Sequence, residues 1–112
     1  MNDRKAFGAR IREMREKRSL TVDEVSELCD ASVSIWKQYE RGERLPSIDK
    51  LVSMCLVLKV KPEFILGSEL DGLQDGTSDI EKLKLKIEQL TPDEIAVIDA
   101  AVSKRLELNK TR

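Results

Sequence analysis

The chain reads as an all-α protein: a five-helix body carrying two short helices joined by a tight turn, then a linker, then amphipathic C-terminal helices. Three observations carry that reading. Apolar residues recur at three- and four-residue spacing along most of the chain, and no segment alternates as a half-buried strand would. Residues 21–42, TVDEVSELCDASVSIWKQYERG, hold two capped helix starts close together. A third strong start, Thr91, Pro92, Asp93 and Glu94, stands near the C-terminus.

Taken in order, the first helix is expected over residues 4–17, with Phe7, Ile11 and Met14 inward. Arg10, Arg12, Arg15, Lys17 and Arg18 crowd its second half, where cations complement the helix dipole. Thr21 is an N-cap and Glu24 sits three residues on, as a capping box requires. Val25 and Leu28 then give an apolar stripe, with Cys29 following. Asp30 suits a turn because it tolerates the left-handed backbone. Ser32 caps the next helix, expected over 32–41; Trp36 and Tyr39 share one face of it, and Gly42 is placed to end it. Ser47 caps a fourth helix running to about residue 58. Pro62 opens a fifth that carries Phe64, Ile65 and Leu66, and Gly67 is expected to close the body.

Residues 68–79 are rich in Gly, Asp and Ser and read as a linker between a 1–67 body and an 80–112 helical segment. In that segment Ile80, Leu83, Ile87 and Leu90 fall on one face. Ile95, Ile98, Val102 and Leu106 form a stripe on the next helix, beside Ala96, Ala100 and Ala101. Two helices of this kind must bury their stripes against the body, each other or a second chain. The expectation is dimerisation through Ile95, Ile98, Val102 and Leu106, with packing on the same chain as the alternative.

Composition narrows the function. There is no histidine, and two cysteines cannot make a four-ligand zinc site, so no metal, cofactor or catalytic residue is expected and the chain is not read as an enzyme. Cys29 and Cys55 lie at apolar helix positions and read as small core residues. No apolar run reaches membrane-span length and the N-terminus has no hydrophobic leader, so the expected location is the cytoplasm, with no membrane partner. Residues 1–68 carry thirteen Lys/Arg against eleven Asp/Glu, and residues 69–112 seven against ten. Any nucleic-acid binding must therefore rest on where charges lie rather than on net charge.

Residues 7–66 resemble the helix-turn-helix domain of the lambdoid phage repressor and Cro family, the XRE-like regulators. The resemblance is carried by Arg10 with Ile11, Arg12, Glu13, Met14 and Arg15; by Leu20 with Thr21; by Tyr39 with Glu40, Arg41 and Gly42; by Leu45 with Pro46 and Ser47; and by the apolar run over 51–66. It implies that Val33, Ser34, Lys37 and Gln38 read bases in the major groove of double-stranded DNA, Gln38 pairing with adenine. It implies sugar-phosphate contacts from Thr21, Ser32, Arg41 and Arg44. It also implies a structural ion pair between Arg15 and Glu40. Departures from the family pattern are Val22, where Gln is common, and Asp30, where Gly is usual.

The resulting expectation is a homodimeric transcriptional repressor reading a short palindromic operator. A partner protein that relieves repression is then expected to be an anti-repressor or a protease. The alternative is an antitoxin-type or other protein-interaction module of the same fold, which binds a partner protein such as a toxin.

Overall fold

The computed structural model describes residues 3–71 and 76–110, with side chains described over 4–66 and 81–109. Among the described residues it is all helical, as the sequence predicts. The helices are α1 (Asp3–Lys17), α2 (Val22–Leu28), α3 (Val33–Glu40), α4 (Ile48–Leu58), α5 (Pro62–Asp71), α6 (Gly76–Glu88) and α7 (Pro92–Lys110).

Each of α1 to α4 stops in the same way. A residue with positive φ follows the helix, and the next N–H reaches back five residues: Leu20 to the Arg15 carbonyl, Ala31 to Ser26, Glu43 to Gln38 and Val60 to Cys55. These bonds satisfy carbonyls that a helix end leaves without partners. The left-handed residues are Ser19, Asp30, Gly42 and Lys59, so glycine closes one of the four. The N-termini follow the side-chain chemistry. Thr21 and Glu24 form both halves of a capping box, and Ser32 and Ser47 accept from the N–H groups of Ile35 and Lys50.

The core is built from Phe7, Ile11 and Met14 of α1, Val25 of α2, Trp36 and Tyr39 of α3, Leu51, Met54, Cys55, Val57 and Leu58 of α4, and Ile65 and Leu66 of α5. Leu83 of α6 and Val102 of α7 belong to the same cluster. α6 lies against α4 and α5, and α7 against α4 and α2.

The structure departs from the sequence reading at two places. α5 does not stop at Gly67 but continues to Asp71, and α6 begins at Gly76, so the stretch read as a linker is helical at 68–71 and 76–79. The physical reason is that a glycine inside a helix costs about 1 kcal/mol against alanine and does not by itself end one. Ile80, read as part of the α6 stripe, has a side chain outside the described residues. The second departure concerns Ile95, Ile98, Val102 and Leu106. Val102 is fully enclosed, Ile98 and Leu106 pack against the core, and Ile95 is half-buried. Three of the four residues thus pack on the chain's own body, as in the alternative of same-chain packing, because an apolar stripe is stabilised by the nearest apolar surface that can cover it.

Candidate nucleic-acid interface

The placement of α3 starts with its inner face. Trp36 is wholly buried and Tyr39 nearly so, their rings meeting edge to face with centroids 6.0 Å apart. One residue beyond Tyr39, the Glu40 carboxylate accepts from Arg15 Nε at 2.6 Å and Nη2 at 3.2 Å, and from the Trp36 indole Nε1 at 2.6 Å. Arg15 Nη1 also donates to the Leu20 carbonyl at 3.0 Å. The expected Arg15–Glu40 pair is therefore formed. With side chains 12% and 10% exposed, it works as a hydrogen-bonded lock between α1 and α3 rather than as a loose surface pair.

Two glycines bring α1 closer to α3 than other residues allow. A Cβ on Gly8 would lie 2.5 Å from the Glu40 carbonyl oxygen and 2.6 Å from that of Tyr39. A Cβ on Gly42, at φ +74°, would meet the Lys5 backbone at 2.8 Å. The turn between α2 and α3 is held from the other side. Lys50 of α4 donates through Nζ to the carbonyls of Cys29 at 2.7 Å and Asp30 at 2.6 Å. Neither Gly8 nor Lys50 was singled out in the sequence. Gly8 left a signal, since a glycine in mid-helix needs a packing reason. Lys50 left none, because its partners lie 20 and 21 residues away.

With one face docked in this way, the opposite face of α3 looks outward. Ser34 and Lys37 are exposed, and Val33 and Gln38 are half-buried. Thr21 and Ser32 stand exposed at the starts of α2 and α3, each with its hydroxyl oxygen accepting a backbone N–H. In the loop after α3, Arg41 pairs with Glu43 at 3.1 Å, and Arg44 Nε donates to Gln38 Oε1 at 3.2 Å. Lys37, Arg41 and Arg44 bring positive charge to the end of α3, where Glu40 is already neutralised by Arg15. Of the residues named for base and backbone contact, Thr21, Ser32, Ser34, Lys37, Arg41 and Arg44 are thus exposed, and Val33 and Gln38 are half-buried. Ile98, Val102 and Leu106 pack against the body, and Ile95 is half-buried.

α7 contributes to holding α2, which the sequence did not suggest. Arg105 pairs with Glu27 at 3.0 Å. Asn109 Nδ2 donates to the Ser19 carbonyl and to Glu24 Oε1, both at 3.2 Å, so it touches the capping box of α2. The thiols have no such surface role. Burial pushes Cys29 and Cys55 up to about 12, with Lys50 opposing the rise at Cys29 and Glu63 adding to it at Cys55. Such thiols are inert toward oxidants and alkylating agents.

Two capped helices joined by a left-handed turn, the second docked by one face and polar on the other, define a helix-turn-helix unit. A family model described as a helix-turn-helix domain matches residues 6–63, and the chain belongs to that family. No curated protein and no solved structure matches the chain. The fold and the family together make this a protein of DNA-binding type. Among the described residues no helix is long and apolar enough to cross a membrane.

Proposed function

We propose that the protein is a sequence-specific DNA-binding transcriptional regulator, a cytoplasmic repressor that inserts α3 into the major groove. The observation that carries this is the division of α3 itself. Trp36, Tyr39 and the Glu40 lock fix one face, while Ser34, Lys37 and Gln38 stand on the other with short polar or cationic ends suited to base edges. In this reading Val33 meets a thymine methyl, Lys37 a guanine or phosphate, and Gln38 an adenine. Thr21, Ser32, Arg41 and Arg44 face the backbone, and promoter occlusion suffices for repression. A homodimer would read a palindrome with half-sites about 34–36 Å apart.

Gln38→Ala should weaken binding to the preferred duplex by about 1–3 kcal/mol and relax preference at one base pair. Fluorescence anisotropy on preferred and scrambled duplexes checks this, and an equal loss on both would remove Gln38 as a reader. A second reading, an antitoxin-type module that binds a partner protein, draws support from apolar side chains left on the C-terminal helices: Leu85 is 55% exposed and Val97 69%. A small toxin-like gene beside this one, with co-purification of its product, would favour that reading.

A further inference from the structure

The contact between Arg44 and Gln38 sets how the reading side chain faces DNA. A guanidinium has only N–H donors, so the group it meets on Gln38 must be the carboxamide oxygen. A half-turn of the carboxamide would place its NH2 against the Arg44 Nε–H, donor against donor. The 3.2 Å bond therefore gives the Gln38 amide a single polarity, with oxygen towards the loop after α3 and NH2 away from it. The bond uses Nε, so the terminal nitrogens of Arg44 are left to approach a phosphate. One arginine can then contact the backbone and orient the base-reading group together.

Polarity matters because of what base pairs display. Adenine offers an acceptor, N7, and a donor on N6 at its major-groove edge. A carboxamide matches both atoms in one order only, and a thymine–adenine pair presents that order reversed. A freely turning amide accepts either order, whereas a fixed one distinguishes them. Exclusion of water in the groove strengthens the Arg44–Gln38 bond relative to its exposed state.

We infer that Arg44 is a specificity-positioning residue: by fixing the polarity of the Gln38 carboxamide, it makes α3 distinguish A·T from T·A at one operator position. This rests on the DNA-reading function proposed above and assigns Arg44 a role beyond phosphate contact.

The test begins with a preferred duplex selected from a random pool by the full-length wild-type protein. The position read by Gln38 is the one whose preference Gln38→Ala removes. Affinity is then measured on four duplexes carrying A·T, T·A, G·C or C·G there, for wild type, Arg44→Ala, Gln38→Ala and the double variant. Arg44→Ala should lower affinity on all four duplexes and, in addition, reduce the A·T over T·A preference by about tenfold, the size of a discriminating contact. In the Gln38→Ala background the same substitution should act on all four duplexes alike, because its effect on preference passes through Gln38. Equal loss on the four duplexes in the wild-type background, with preference intact, overturns the inference and leaves Arg44 a phosphate contact. Selection that yields no preferred sequence removes the DNA-reading function itself, and this inference with it.

Discussion

The body formed by α1 to α5 and the two C-terminal helices, α6 and α7, all carry apolar stripes and use them differently. In the body, apolar positions close over one another: Ile11, Val25, Trp36, Met54 and Ile65 are all fully enclosed. In α6 and α7, among the described residues, Leu83 and Val102 are the ones enclosed in the common core, while Leu85, Val97 and Leu108 are exposed. Ile87, Ile98 and Leu106 add partly buried contacts with the core, Asn109 donates to Ser19 and Glu24, and three ion pairs join the same surfaces: Lys86 with Asp49, Lys84 with Glu63, and half-buried Arg105 with Glu27. Such pairs contribute little, about 0–1 kcal/mol each. The difference teaches that α6 and α7 are seated on the body mainly through Leu83 and Val102 with partly buried neighbours, and that α3 is held by α1 more than by either C-terminal helix.

The largest expected effect lies in the body. Trp36→Ala removes a wholly buried ring and the indole donor of Glu40, and should cost about 3–5 kcal/mol in urea denaturation. The matching substitution in α6, Leu83→Ala, should cost about 2–5 kcal/mol in the same assay. A loss below about 1 kcal/mol there would mean that α6 is not part of the core.

Smaller effects sharpen the contrast. Lys59→Gly relieves a left-handed backbone and should raise stability by about 1 kcal/mol in thermal melts. Val97→Asp on the outer face of α7 should change stability by no more than about 0.5 kcal/mol. If sedimentation shows a dimer that Val97→Asp dissociates, this outer face rather than the Val102 stripe joins the copies.

The thiols give the gentlest probe. Their values are raised from the ordinary 9.0 to about 12 by burial, so the protonated form is favoured by folding. That contribution is fully present below pH 9 and is lost as pH rises towards about 12. Alkylation at pH 8 should therefore track unfolding, and rapid labelling of the folded protein would contradict the burial of Cys29 and Cys55.

Much of this was legible in the residues. Caps announce themselves by chemistry, and Thr21 with Glu24, Ser32, Ser47, and Thr91 with Glu94 all cap as their types predict. The inner face of α3 was legible because Trp36 and Tyr39 have the spacing of a buried stripe. Helix stops were less so, since Ser19 and Lys59 take a conformation that their side chains do not advertise. Gly67 misled for the converse reason. The destination of α7 could not be read, because a stripe such as Ile98, Val102 and Leu106 requires a partner surface without specifying whose. Long-range polar contacts, from Lys50 to the α2–α3 turn and from Asn109 to the capping box, have no local signature. The Gln38 to Arg44 contact spans only six residues, yet it depends on how the loop folds back after Gly42.

The most direct test of the central claim, that α3 reads DNA sequence, is binding of the full-length protein to the DNA upstream of its own gene. A scrambled duplex of equal length serves as the comparison, across a salt series. The account predicts tighter binding to the upstream duplex that persists near physiological salt, with Arg41→Ala and Arg44→Ala each reducing the salt slope by about 1. Equal, weak binding to both duplexes that vanishes as salt rises, joined to the absence of a preferred sequence in a random pool, would contradict it.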